Sequence, residues 1–398
     1  MLWKTIVALI FAFAVSDAHG QNILCQDACT LHGEFSADNV HRIRTFGGDV
    51  PSLKEARWHK TEPIIILLGY YCLEHLYPPC PIDGDGDLSV SRVFHADVVD
   101  VRYFQPIEIR GKYIAVNMPV DQLELVNHKI ILGTNAGSLY FLDIGNWGIG
   151  NWDTDEWERY ARDDDIWNSG KWEQVKEKFS YDIHIAEGNV SELLLHPSEE
   201  WLLVAIDHER LFRFDLASHS VSEIDLQTDD DLMLDALAFS DGGRLLATAG
   251  NGVIQIWDTV SWTPEASADL GAESLAELLF TDDDSQLIVL EDATVSRWSR
   301  SGNTLNLLRE LQSHPDKRPC RITDGDISPD RSLLMTVDEC GQIRAWDLTA
   351  DTEIFIPQLD YRDEDNQGTV MQFSPDGRFL VEGSKTLGWG LYFVYHSA

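Results

Sequence analysis

A short pattern that recurs along the second half of the chain limits what this sequence can fold into. Each copy has an apolar strand, a turn of the Ser-Pro-Asp-Gly type, a second apolar strand, and a third strand that ends in Trp-Asp or a substitute. The clearest turn is Phe373-Ser374-Pro375-Asp376-Gly377, and weaker copies begin at Leu195, Ala238, Leu279 and Asp326. A unit that recurs about every forty residues cannot bury both of its faces alone, so the copies must pack side by side. The repeat therefore predicts an all-β array.

The two ends of the chain predict that this array closes into a ring. Residues 40–46 alternate like a strand and are followed by a Gly-rich turn before the first repeat, whose second strand is predicted at 64–68. The last repeat has three strands and ends at residues 391–395. The strand at 40–46 is therefore expected to supply its missing outer strand, which leaves short edges only. Units that begin near 53, 110, 190, 234, 275, 321 and 369 predict seven blades, with six or eight as alternatives.

These motifs resemble those of the WD-repeat β-propeller family. The resemblance covers residues 190–398, where Trp257-Asp258, Trp346-Asp347 and the Ser-Pro-Asp-Gly turns carry it, and residues 133–143 are the best match further upstream. The Gly-His dipeptide of the family is missing. Residues 250–252 and 339–341 replace the usual Asp turn between the second and third strands, so the family's buried Trp–Ser–His–Asp networks are not expected. The resemblance implies a propeller that binds protein partners.

Charge and the first twenty residues indicate a class of partner and a compartment. The 398 residues include 30 Lys and Arg against 67 Asp and Glu, a net charge of −37, which disfavours nucleic-acid and anionic lipid partners. Lys4, the apolar run 5–15 and small residues up to position 20 predict a signal peptide over 1–20, with an uncleaved anchor as the alternative. We expect a leader at 21–38, a propeller at 39–398 without a transmembrane segment, and a secreted or periplasmic protein.

Six cysteines follow this export signal. An even number favours disulfides, although Cys25, Cys29, Cys72, Cys80, Cys320 and Cys340 allow 15 connectivities. Cys320 precedes the first strand of its repeat and Cys340 follows the second, so the two lie at the same end of an antiparallel pair. The sequence therefore predicts a Cys320–Cys340 disulfide, with metal ligation as the alternative. The Cys25–Cys29 pair lacks the second pair or the His spacing of a zinc site.

The first of two insertions, residues 70–87, contains a candidate calcium site. Asp83, Asp85 and Asp87 stand at alternate positions and could present oxygens to calcium. An EF-hand loop would need Gly and Glu where Leu88 and Phe94 stand. We therefore interpret the segment as an acidic turn and expect no cofactor, with weak calcium binding as the alternative.

The second insertion, residues 144–180, holds five of the 13 tryptophans. Asp153, with Glu156 three positions later, predicts the start of a small helix. Flat aromatic faces stack on sugars or anchor protein partners, or they attach such a segment to the propeller side. Because Trp147 and Trp152 stand in a Gly-Asn context, they are the candidates for partner contact.

The sequence gives no catalytic or cofactor-binding residues. It lacks a G-x-S-x-G elbow, an H-E-x-x-H motif and a phosphate-binding glycine loop, and its 13 His are scattered, with His196 and His208 interpreted as surface or turn residues. We therefore expect a non-enzymatic scaffold that binds protein partners outside the cytoplasm. The alternatives are a hydrolase or lyase with a metal-assisted channel-mouth site for a sugar or lactone, and a structural subunit. Asn189-Val190-Ser191 matches a glycosylation acceptor motif, which could carry a glycan in a eukaryotic protein and means nothing in a bacterial periplasm, and a glycan partner stays open.

Overall fold

The computed structural model describes most of the chain from residue 34 onward. The described ranges are 34–46, 52–61, 64–72, 92–100, 105–107, 120–127, 129–143, 180–226, 233–270, 275–281, 284–312, 320–354, 368–384 and 389–397. All regular structure in these ranges is β-strand. None of the described residues belongs to a helix long and apolar enough to cross a membrane.

The described strands form seven antiparallel units of four strands each. Unit 1 contains β2 (Ser52–Trp58), β3 (Ile64–Cys72), β4 (Arg92–Asp100) and β5 (Gln105–Ile107). Unit 2 contains β6 (Val120–Val126), β7 (Lys129–Thr134), β8 (Ser138–Asp143) and β9 (Ser180–His184). Unit 3 contains β10 (Val190–Leu195), β11 (Trp201–Ile206), β12 (Arg210–Asp215) and β13 (Val221–Ile224). Unit 4 contains β14 (Ala236–Phe239), β15 (Leu245–Gly250), β16 (Val253–Asp258) and β17 (Pro264–Asp269).

The later units follow the same order. Unit 5 contains β18 (Leu275–Phe280), β19 (Gln286–Glu291), β20 (Thr294–Ser301) and β21 (Thr304–Gln312). Unit 6 contains β22 (Ile322–Ile327), β23 (Leu333–Asp338), β24 (Ile343–Asp347) and β25 (Thr352–Ile354). Unit 7 contains β26 (Gly368–Phe373), β27 (Phe379–Ser384), β28 (Trp389–Ser397) and, from the start of the chain, β1 (Glu34–Phe46). A single parallel pair, Ser267 with Thr304, joins the outer strands of units 4 and 5 into one eight-stranded sheet.

The hydrophobic core lies between the faces of neighbouring units. The second strands β11, β15 and β23 are buried at every position, whereas three of the six residues of the outer strand β17 are exposed. Each core cluster draws on two units: Trp201 of unit 3 packs in the same cluster as Trp257 of unit 4, for example. A strand that is covered on both faces reads as a continuous apolar run, which explains the second strand of each repeat.

The ring is closed in the way the sequence predicts. Each first strand neighbours the first strand of the next unit, and β26 of unit 7 neighbours β2 of unit 1. Across this last junction Trp58 stacks on Phe379 with ring centroids 6.2 Å apart. Strand β1 pairs with β28, with Val40 opposite Val394 and Phe46 opposite Trp389. The predicted closing strand is therefore confirmed, and the fold is an all-β propeller.

Several boundaries differ from the expected ones. Strand β1 begins at Glu34, so the last residues of the segment expected to be a leader already pair with β28. Unit 2 begins with β6 at Val120, about ten residues later than expected. The ends of the flanking strands limit the two insertions to 73–91 and 144–179. The predicted signal peptide and the predicted helix lie outside the described residues.

A buried serine hydroxyl in each of three turns explains why these turns share a sequence. The Oγ atoms of Ser240, Ser328 and Ser374 accept a hydrogen bond from the backbone N–H five residues later, at 2.9–3.1 Å. The WD tryptophans use a similar device, since Trp257 Nε1 donates to Thr248 Oγ1 at 3.0 Å. A buried polar group must have a partner, so these positions admit few other residues.

One predicted disulfide lies in the described part of the chain. Cys320 and Cys340 are bridged, with their Cα atoms 5.9 Å apart, as the strand order predicts. Cys25, Cys29 and Cys80 lie outside the described residues, and their pairing, with that of Cys72, stays a prediction.

Candidate functional site

Six first strands share an irregularity at the same point, and in five of them it directs a polar side chain toward the centre of the ring. In β2, β6, β10, β18, β22 and β26 the register with the second strand shifts by one residue near the strand start. Such bulges redirect the side chain that follows. The residues that directly follow the shift are Glu55, Gln122, Glu192, Glu277, Asp324 and Val370.

Two residues further along the same strands lies a second layer. Arg57 follows Glu55, Glu124 follows Gln122, and Asp326 follows Asp324. We call these seven charged residues the channel cluster: Glu55, Arg57, Glu124, Glu192, Glu277, Asp324 and Asp326. They come from units 1, 2, 3, 5 and 6, and Arg57 is close enough to act electrostatically on all the others. The strands that carry them are the innermost of each unit, so the cluster lines the central channel.

Arg57 is the single cation of this cluster. Its Nη2 lies 2.5 Å from Glu55 Oε1, and its Nε lies 3.6 Å from Glu124 Oε1. The side chains of Arg57, Glu55 and Glu124 are 25%, 14% and 8% exposed, so little water screens them. One guanidinium cannot neutralise six carboxylates.

Several cluster carboxylates also tie neighbouring units together. Glu124 Oε1 accepts from the backbone N–H of Leu195 in unit 3 at 3.2 Å. Asp324 and Asp326 of unit 6 accept from Met371 and Phe373 of unit 7 at 2.7 and 2.8 Å. Neighbouring first strands share no backbone ladder, so these acidic side chains satisfy backbone donors that would otherwise lack a partner.

Burial raises the pKa of every carboxyl group in the cluster, because it penalises the charged form, while Arg57 opposes the shift. The pKa rises to about 8 for Glu55, about 7 for Glu192 and Asp324, and about 6 for Asp326, and it rises also for Glu124 and Glu277. The channel thus holds protons near neutral pH and loses them as the pH rises. Groups of this kind can exchange protons with a ligand or attract a cation.

Two ion pairs connect the turns at one end of the ring. In each unit the link between the first and second strands and the link between the third and fourth strands lie at the same end, which we call the turn end. Lys60 Nζ of unit 1 lies 2.6 Å from Glu199 Oε1 of unit 3, and Arg331 of unit 6 pairs with Asp241 of unit 4. Arg331 also donates to the carbonyl of Phe280 in unit 5 at 3.2 Å. Both pairs bypass an intervening unit, so they fix the turns relative to one another.

His196 and His208 lie in the turns that follow β10 and β11, as the sequence predicts, and both also join units 3 and 4. The His196 ring stacks on Trp201 at 4.4 Å, accepts the N–H of Ser198 at Nδ1, and donates from Nε2 to the carbonyl of Gly243 at 3.1 Å. Burial lowers the pKa of His196. Nδ1 of His208 donates to the carbonyl of Leu234 at 3.0 Å.

The residues singled out from the sequence fall mostly outside the described ranges. Asp83, Asp85 and Asp87 lie in the link 73–91, and Trp147 and Trp152 lie in the link 144–179. Their roles stay predictions. The ends of the second link are nonetheless described: it leaves β8 and enters β9 at the turn end. The sequence did not lead us to predict the channel cluster. It does carry a signal for it: in units 1, 3, 5 and 6 an acidic residue stands four positions before the residue that begins the turn between the first and second strands.

Comparison with known proteins agrees with the fold. The family described as "WD domain, G-beta repeat" matches residues 218–258, so the chain contains a WD40 repeat there. This match covers the outer strand of unit 3 and three strands of unit 4, the same offset that lets β1 complete unit 7.

Two relatives are WD-repeat proteins. "Protein groucho" of Drosophila melanogaster is 28% identical over 41% of this chain and 21% of its own length. "Target of rapamycin complex subunit wat1" of Schizosaccharomyces pombe is 26% identical over 47% of this chain and 57% of its own length. The chain therefore spans about a fifth and somewhat over half of these two relatives.

Proposed function

We propose that this protein is a non-enzymatic scaffold that binds protein partners at the turn end of its propeller, outside the cytoplasm. Similarity to WD-repeat proteins supports protein interaction as the general role, and one of these relatives is by name a subunit of a complex. The observation that carries the proposal is the position of the Trp-rich link 144–179. It joins β8 to β9 at the same end as the turns that the Lys60–Glu199 and Arg331–Asp241 pairs hold together.

A rigid frame that carries a Trp-rich link suits recognition of a partner. The channel cluster and the hydrogen bond from His196 to Gly243 connect neighbouring units, so the turns keep their relative positions. Exposed ion pairs add little stability, which makes positioning the better explanation of those at the turn end. Aromatic side chains that meet a partner on a rigid support supply most of the binding energy in many interfaces. Trp147 and Trp152 are our candidates for that contact.

Matched loop replacements test this proposal. In one variant a short Gly-Ser linker replaces 144–179, and in the control the same linker replaces 73–91 at the opposite end. Proteins captured from the extracellular fraction by each purified chain are identified by mass spectrometry, and binding of a captured partner is measured with both. We expect the first replacement, and Trp147→Ala with Trp152→Ala, to abolish binding that the control retains. Equal capture by both replacements would remove the link from the argument.

Export is a separate part of the proposal. The apolar N-terminal run and the Cys320–Cys340 disulfide support an oxidising compartment. Expression of the whole chain in a secreting host, followed by N-terminal sequencing of the product in the medium, tests it. We expect a new N-terminus near Gly20. A cell-retained product that still begins at Met1 would contradict export.

A second candidate function is a hydrolase or lyase whose site lies in the channel. The convergence of Glu55, Glu192 and Glu277 with raised pKa values favours it, since general acids need such groups. We rank it second because Glu124, Asp324 and Asp326 already accept backbone N–H groups. Turnover of glycoside or lactone substrates that is lost in Glu277→Gln would support it. No turnover by the wild type across such a panel would leave binding as the function.

A further inference from the structure

A group of three metal-ligand side chains lies at the disulfide of unit 6 and shares no residue with the channel cluster. Cys320 stands before β22, Asp338 ends β23, and Cys340 lies in the turn that follows. One ligand atom from each of the three lies within 4.8 Å of the other two. In the described part of the chain this is the one such group of three.

The backbone around these side chains is fixed by contacts other than the disulfide. Asp338 Oδ1 accepts the N–H of Cys340 at 3.0 Å and that of Gln342 at 2.8 Å. The N–H of Arg321 donates to Glu339 Oε1 at 3.1 Å, and the N–H of Glu339 donates to the carbonyl of Arg321 at 2.9 Å. These bonds keep the turn beside residue 320, so the two cysteines stay close together when the S–S bond is broken.

Two thiolates and a carboxylate are a donor set for zinc. Zn²⁺ is a borderline-soft cation that binds Cys sulfur at about 2.3 Å and carboxylate oxygen at about 2.0–2.2 Å in tetrahedral sites. Three protein ligands leave the fourth position to water, which makes the ion exchangeable. We propose that the reduced Cys320 and Cys340, together with Asp338, bind one zinc ion, so that the disulfide and the zinc complex are alternative states of one redox-controlled site.

The interconversion balances with a thiol reductant. A dithiol attacks one sulfur of the disulfide and then closes into its own disulfide, which transfers two electrons and leaves two cysteine thiols. Zinc then displaces the two thiol protons into solvent. A disulfide oxidant reverses the sequence, because forming the S–S bond removes both thiolate ligands and releases the ion. The site is independent of the proposed partner-binding end.

Zinc binding to the full-length chain tests this proposal. Oxidised protein, and protein reduced anaerobically and freed of reductant, are dialysed against Zn²⁺, and bound metal is quantified. Parallel samples take Co²⁺, whose thiolate charge-transfer absorption reports sulfur ligands. The variants are Cys320→Ser with Cys340→Ser, Asp338→Asn, and Asp292→Asn as the control in the corresponding turn of unit 5. Because asparagine keeps an Oδ1 acceptor, the turn at 338 is retained.

We expect reduced wild type to bind one zinc more per chain than the double serine variant, which also corrects for the other four cysteines. Oxidised wild type should lack this extra ion, and Asp338→Asn should bind it at least about 10-fold more weakly. Asp292→Asn should match the wild type. Equal zinc in reduced wild type and the double serine variant would overturn the site, as would the extra ion in oxidised protein. Unchanged affinity in Asp338→Asn would refute the three-ligand assignment.

Discussion

Replacement of Glu192 by glutamine isolates the electrostatics of the channel. Glu192 follows the bulge of β10 and faces Arg57, Glu124 and Asp324. Burial raises its pKa from 4.5 to about 7, with Arg57 opposing and the two carboxylates adding to the shift. Glutamine has nearly the same shape and no proton to lose.

The sign of the effect follows from proton binding. Between pH 4.5 and about 7 the folded protein keeps a proton on Glu192 that the unfolded chain releases, so stability falls as the pH rises through this window. Below it Glu192 contributes nothing, and above it the penalty is complete. At about 1.4 kcal/mol per pKa unit, the loss is roughly 3 kcal/mol. Glu192→Gln should therefore match the wild type at pH 4.5 and exceed its free energy of unfolding by about 2–3 kcal/mol at pH 8.

Urea unfolding of both proteins at half-unit pH steps from 4.5 to 8.5 measures this difference. The other carboxylates are present in both proteins, so the difference between the two curves reports on Glu192 together with its repulsion of Glu55 and Glu277. Glu209→Gln, an exposed glutamate of the same unit, is the control and should follow the wild type. Parallel curves for Glu192→Gln and wild type would refute the argument that burial controls this carboxyl group.

Three further substitutions test the joints of the fold by urea unfolding. Ser374→Ala should cost about 1–2 kcal/mol, because the N–H of Phe379 loses its acceptor in a buried turn; an unchanged midpoint would contradict this role. Trp346→Ala should cost about 3–5 kcal/mol by opening a cavity between units 5 and 6, and Trp346→Phe clearly less, so equal losses would contradict the packing argument. His196→Ala should cost about 1–3 kcal/mol, because the stack on Trp201 and the bond to Gly243 are lost. Because the pKa of His196 is lowered, the stability advantage of the wild type over His196→Ala should also shrink as the pH falls below 6.5.

The sequence predicts the ring well and its interior poorly. The apolar second strand recurs in every unit, and the Ser374-type turn recurs in units 4, 6 and 7, because repeated units solve the same packing problem. The strand predicted at 40–46 belongs to no repeat of its own, so it is expected to complete the last unit, and β1 pairs there with β28. The pairing of Cys320 with Cys340 follows from strand order alone.

There is a physical reason why the sequence does not predict the channel cluster. In a chain with 67 acidic residues, Glu192 and Glu277 cannot be told from surface carboxylates without knowing which side of the strand they occupy. A one-residue bulge decides that side, and a strict alternation of faces does not foresee it. Alignment of the repeats on their turns would have revealed the recurring acid. The approach of Arg57 to Glu124 depends on how units 1 and 2 pack against each other and has no local signal.

Disulfide trapping of the closing strand tests the ring most directly. Val40 and Val394 are opposite each other in the register of β1 and β28, so Val40→Cys with Val394→Cys should form a cross-link under mild oxidation, detected by peptide mass spectrometry. In the mismatched pair Val40→Cys with Trp389→Cys, the second site lies roughly 17 Å away along the strand. The closed ring predicts efficient trapping of the first pair and background trapping of the second. Equal trapping of both pairs would contradict it.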